Sequence, residues 1–133
     1  MRNASIHRGV LPATNTVLAW RLAMPCSLAD RACVPCRGGV PPLGHDEVAR
    51  LLPQLGNGWQ VAAGHHLTKT FRFKDFREAL GFVNRVGAVA EEQGHHPDIE
   101  LRWGEVVLTV WTHKIDGLTE SDFVFAAKAD RVI

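Results

Sequence analysis

Between residues 66 and 90 the apolar period changes from two residues to three and four, and that change restricts the fold more than any other feature of the chain. In "HLTKTFRF", residues 66–73, Leu67, Lys69, Phe71 and Phe73 fall on one face, and His66, Thr68, Thr70 and Arg72 on the other. That alternation predicts a β-strand. After Asp75, the residues Phe76, Ala79, Leu80, Val83, Val86, Gly87 and Ala90 recur at three- and four-residue steps. They form a stripe that predicts a helix to about Gln93, with Gly94 as its natural terminator.

The flanking segments repeat the theme. Val48, Leu51, Leu52 and Leu55 have helical spacing over His45–Leu55, with Asp46 and Glu47 where the helix dipole favours acids and Pro53 shortening or kinking the end. Gly56-Asn57-Gly58 is turn chemistry, and Trp59–Ala63 reads as a strand that Gly64 turns. Asp98–Trp103 is a strand with Ile99, Leu101 and Trp103 on one face, and Gly104-Glu105 turns it into a further strand, Val106–His113. Thr119-Glu120-Ser121-Asp122 resembles a capping box, with Asp in place of the usual Glu or Gln, and opens a last helix through Phe123, Ala126, Ala127 and Asp130. The order is α-β-β-α-β-β-α. Two hairpins joined by a helix predict an α+β domain, a four-stranded antiparallel sheet with helices on one face.

A chain of 133 residues, 46% apolar and 22% charged, is enough for one domain with a core. A net charge of +1 offers no nucleic-acid footprint or polybasic membrane surface, and no apolar run approaches the roughly 20 residues of a transmembrane helix. Cys26, Cys33 and Cys36 all precede the region of regular pattern, so no disulfide framework braces the core and a reducing, cytoplasmic setting is expected. Residues 1–29 hold Arg2, Arg8 and Arg21 and no acid. They read either as an organelle-targeting peptide or as a non-native or disordered extension ahead of a start at Met24. Residues 30–44 read as a Pro- and Gly-rich linker, and 45–133 as the domain. Cys33-Val-Pro-Cys36 is a lone C-x-x-C; zinc would need further ligands from Cys26 and His7 or His45, and a plain linker is the simpler reading.

The chemistry-bearing stretch is "EEQGHHPD", residues 91–98. Gly94 breaks the helix and Pro97 keeps the preceding residue out of the helical region, so His95 and His96 are presented on an extended stub. Imidazole exchanges protons near neutral pH. Glu91, four residues before His95, would orient it if the last helical turn persists. Strand length and turn position return His113 to the neighbourhood of His95 and His96, with Asp122 following after a short loop. Three imidazoles and two carboxylates at one sheet end can bind a metal, act as general acid and base, or decorate a polar rim. Adjacent histidines are awkward ligands for one ion, which argues against a metal.

Glu91-x-x-x-His95-His96-Pro97, then Trp103, His113 and Asp122, resembles the signature of the pterin-4a-carbinolamine dehydratases. "FRFKDFREALGFVNRVGAVAEEQGHHPDIELRW" and "THKIDGLTESD" resemble the family's core, and "CVPCRGGVPPL" resembles the segment that opens many bacterial members. The resemblance implies a four-stranded antiparallel sheet with helices on one face and assembly as a dimer or tetramer, partly by edge-strand pairing, for which His66–Phe73 is a plausible edge. It implies loss of water from a 4a-hydroxytetrahydropterin to give a quinonoid dihydropterin, the step that recycles the cofactor of aromatic amino acid hydroxylases. No metal or other cofactor is implied. In that chemistry His95 and His113 are the proton donor and acceptor, and His96 and Pro97 meet the pterin. Glu91 orients His95, Asp122 orients His113, and Trp103 packs. Two alternatives stay open: action on another pterin, as in molybdopterin metabolism, and a non-enzymatic role as a dimerisation cofactor.

Overall fold

A computed structural model describes residues 27–34 and 39–133. The expectations for residues 1–26, including the start at Met24 and the role of Cys26, lie outside these residues, as does Cys36. The elements are α1 (His45–Leu51), β1 (Gln60–Ala62), β2 (His66–Arg72), α2 (Phe76–Gln93), β3 (Asp98–Arg102), β4 (Glu105–Val110) and α3 (Glu120–Arg131). A 3-10 turn at Leu52–Gln54, with Pro53 inside it, ends α1.

The four strands are antiparallel throughout, in the order β1-β2-β4-β3. The two hairpins therefore join through β2 and β4, where Leu67 faces Val110 and Phe71 faces Val106. This corrects the expectation that the strand from His66 is an edge. Its alternation reflects a sheet with one covered face, and that property belongs to inner as well as outer strands. The edges are β1 and β3.

Leu67, Phe71, Val106, Leu108 and Val110 are buried on the face that α2 and α3 cover. The apolar stripe of α2 is rotated from its expected position. Ala79, Phe82, Val86 and Ala90 are buried, whereas Phe76 (44%) and Leu80 (39%) remain exposed. Phe82 is the pivot, its ring centroid 4.6 Å from that of Phe71 and 5.2 Å from that of Phe73. Asp75 caps α2, accepting the Glu78 amide at 2.9 Å, and Gly94 ends it in the left-handed region at φ 62°. That conformation costs glycine little and redirects the chain into the histidine stub. The end of the expected extension also has structure. Leu28–Asp30 form a 3-10 turn whose Leu28 and Ala29 are buried in the core, so the boundary drawn at residue 29 falls inside a packed element. No helix among the described residues is long and apolar enough to cross a membrane.

Candidate active site

His95 follows the cap of α2, and its backbone amide still donates to the Ala90 carbonyl at 3.1 Å. Its Nε2 lies 2.6 Å from Oδ1 of Asp122, in the first turn of α3. Asp122 is fully buried. Its other oxygen, Oδ2, accepts from the Thr112 hydroxyl and the Thr119 amide, each at 2.8 Å. A carboxylate surrounded by donors acts as acceptor on both oxygens, so the proton in the pair belongs on Nε2 of His95. Nδ1 is then the nitrogen of His95 available to a ligand. Its side chain is 11% exposed, which leaves a small, directed opening.

His113 sits just beyond β4, on a loop closed by the Thr112 amide donating to the Gly117 carbonyl at 2.9 Å. Gly117 also lets Pro42 pack against this loop, because a Cβ there would lie 2.6 Å from Pro42. The His113 ring packs on Trp111, centroids 4.0 Å apart, and His65 packs on Trp111 at 4.4 Å. His65 in turn bonds Asp116 at 2.8 Å through Nε2.

His95, His96 and His113 all border one hollow of about 450 Å³, together with Trp111, Thr112 and Lys114 from the β4 end. Among the described residues, Cys33, Val34, Gln93 and Gly94 also border it. The supporting carboxylates pair differently from expectation. Glu91 hydrogen-bonds His96, not His95, and Asp122 bonds His95, not His113. The reason lies in two local directions: after the left-handed turn at Gly94 the helical face does not continue to residue 95, and Asp122 meets the β4 end through Thr112, the neighbour of His113, while its other oxygen meets His95. The Glu91–His96 pair is exposed, a setting in which ion pairs contribute little. Pro97 and Glu91 do not border the hollow, and Trp103, 68% exposed, neither packs in the core nor reaches it. Among the described residues no three His, Cys, Asp or Glu side chains are grouped to hold a metal ion.

Sequence reasoning missed Trp111, Thr112, Lys114, Cys33 and Val34. Trp111 was findable, since it lies two residues before His113 and shares its side of an extended chain. Thr112 and the pair at 33–34 carry no such signal, because only tertiary packing brings them to the site.

The model of the family described as pterin 4 alpha carbinolamine dehydratase matches residues 41–132. A Rubrobacter xylanophilus protein named "Putative pterin-4-alpha-carbinolamine dehydratase" is 66% identical over 105 residues, covering 79% of this chain and 97% of its own. One of the same name from Alkaliphilus metalliredigens is 54% identical over 105 residues, 79% of this chain and 95% of that one. Among solved structures, a transcriptional coactivator/pterin dehydratase from Brucella melitensis superposes with a TM-score of 0.64 at 35% identity, covering 68% of this chain and 97% of the other. A pterin dehydratase-like protein described as a RuBisCO assembly factor of the alpha-carboxysome superposes at 0.50 with 26% identity, over 57% and 89%. With a family match over residues 41–132 and a 66% identical relative, this chain belongs to the pterin-4a-carbinolamine dehydratases, a family of hydro-lyases.

Proposed function

We propose that the protein dehydrates a 4a-hydroxytetrahydropterin to the quinonoid dihydropterin by histidine acid–base catalysis. The observation that carries this reading is the convergence of His95, His96 and His113 on one hollow, with a buried carboxylate behind His95. Elimination of water makes two demands. Hydroxide leaves poorly and needs a proton; the neighbouring ring nitrogen must lose one as the double bond forms. His95 suits the second task, because Asp122 stabilises the positive charge that the ring acquires on taking a proton. His113, held on Trp111 at the open side, suits the first. His96 borders the hollow as a substrate contact, and Pro97 restrains the stub that carries it. No metal or other cofactor enters these steps.

The test is rapid mixing of chemically prepared 4a-hydroxytetrahydropterin with enzyme, following appearance of the quinonoid product. His95→Gln and His113→Gln should each lower turnover about 10²–10⁴-fold with folding intact. Turnover near wild type in both variants rejects the mechanism. The carboxysomal neighbour is a reminder that this fold also serves assembly roles. A chain that binds reduced pterins yet fails to accelerate dehydration would move to that class or to another pterin's metabolism.

The reading includes a homo-oligomer. Among the described residues strand β3 is paired on one side only, and it carries exposed Ile99, while Phe76 and Leu80 leave an apolar second face on α2. Sedimentation equilibrium at micromolar concentration should give a dimer or tetramer, and a monomer would remove this part. A cytoplasmic setting completes the proposal, in keeping with cysteines that all lie ahead of the sheet and its helices.

A further inference from the structure

The hollow has one wall that the sheet and its helices do not supply. Cys33 and Val34 border it beside the three histidines, yet both precede residue 41, where the family match begins. The strap that carries them is anchored at its start by burial of Leu28 and Ala29 and by the Lys128 ammonium, which donates to the Ala29 carbonyl at 2.9 Å. Its far end is clipped over the site. The Cys33 amide donates to Oε1 of Gln93 at 2.9 Å. The Val34 amide donates to the Ser121 hydroxyl at 2.9 Å, and that hydroxyl donates back to the Val34 carbonyl at 3.2 Å. Gln93 immediately precedes the Gly94 cap, and Ser121 immediately precedes Asp122. The strap is thus fastened to the two helix ends that bring His95 and Asp122 together.

The chemistry of the ligand says what this wall is for. A pterin is a flat fused bicycle with hydrogen-bonding edges and apolar faces. The histidines and Lys114 can serve its edges. Among the described residues, Trp111 and Val34 are the apolar side chains of the rim apart from Cys33, and Trp111 already carries the His113 ring. Val34 is 66% exposed, which by itself is unremarkable for a lone valine. Its position on a doubly clipped backbone at the mouth of the hollow is what gives the exposure meaning.

We propose that Val34 is a substrate-contact and specificity-determining residue, the strap-borne apolar wall against which a pterin ring is held. This inference rests on the proposed dehydratase site. Removing the contact should weaken binding by about five- to tenfold, the value of one partly buried valine side chain.

Two readouts test it. The first is fluorescence titration of the full chain with 7,8-dihydropterin, a pterin lacking the leaving hydroxyl. The second is steady-state dehydration. Val34→Gly should raise the dihydropterin Kd and the substrate KM by about five- to tenfold, with kcat falling much less. Val34→Leu should restore both. The melting temperature should barely move, since an exposed side chain is removed. Ser121→Ala, which unclips the strap without touching the hollow's lining, should raise KM in the same direction. Unchanged Kd and KM in Val34→Gly overturn the inference, as does a parallel loss of Tm that accounts for the whole effect. If His95→Gln and His113→Gln retain turnover, the catalytic reading falls instead; the dihydropterin titration still decides whether Val34 holds a pterin.

Discussion

Asp122 is the residue on which the site turns. It accepts from His95, Thr112 and Thr119 at once, and so ties the stub after α2, the end of β4 and the start of α3 to one carboxylate. Asp122→Asn replaces one acceptor oxygen with a donor and sets it against a hydroxyl, an amide or the imidazole. Stability should fall by about 1–3 kcal/mol and turnover by about 10²-fold, read by urea denaturation and the rapid-mixing assay. Both losses are expected together, because the same bonds position His95 and hold the helix. A second residue offers a gain. Ala63 is a non-glycine residue at φ 54°, in the turn between β1 and β2 where the His65 amide donates to the Ala62 carbonyl. Its Cβ strains there. Ala63→Gly should stabilise the fold by about 1 kcal/mol, measured by denaturant midpoint. The histidines themselves were legible in the sequence because Gly94 and Pro97 bracket them. Their partners were not, since a left-handed turn reorients everything after it by an amount no spacing rule carries.

At the scale of elements, α2 and the strap behave differently. Helix α2 carries two apolar faces, and periodicity alone cannot say which is inward. Phe82, absent from the expected stripe, is fully buried against Phe71 and Phe73. Phe82→Ala should cost about 3–5 kcal/mol in a denaturation experiment, through lost transfer energy and the cavity left behind. The strap depends more on polar ties. The Arg131 guanidinium, with the Ser27 hydroxyl, holds the Asp30 carboxyl down to about 2 from an ordinary 3.8. A depressed folded-state value means that the tie contributes fully above pH 3.8 and is lost as pH falls towards 2. Hydrogen exchange of the Leu28–Val34 amides should therefore show weakening protection across that window. Asp30→Asn should exchange faster at neutral pH and lose the pH dependence. The sequence "DRACVPCRGGVPPL" reads as a linker because its prolines and glycines forbid regular structure. Two buried residues just before it, Leu28 and Ala29, join these polar ties in docking an irregular segment.

For the molecule as a whole, the sheet and α3 are stapled by one further carboxylate. Asp130 accepts from the Gly56 amide at 3.1 Å, the Trp59 indole at 3.0 Å and the Lys69 ammonium at 2.7 Å. Lys69 stands on the covered face of β2, 4.6 Å from the Phe71 ring centroid, which explains how a lysine fits a run of apolar positions. Asp130→Ala would leave that ammonium largely buried and unpaired, a change that costs on the order of 3 kcal/mol. The loss should appear in thermal unfolding while the histidine site, at the other end of α3, keeps its KM. A change in KM matching that of Val34→Gly would show instead that the two ends of α3 are coupled.

The sequence by itself determined the kinds and order of the elements, the family, and the stub that presents His95 and His96. Those properties are local, since periodicity, caps and turn residues act within a few positions of the chain. Only the tertiary structure decided which strands are edges, which face of α2 is inward, that Asp122 serves His95, and that a segment ahead of the domain walls the hollow. These are matters of which distant groups meet, and they are set by packing and by the direction the chain takes after each left-handed turn.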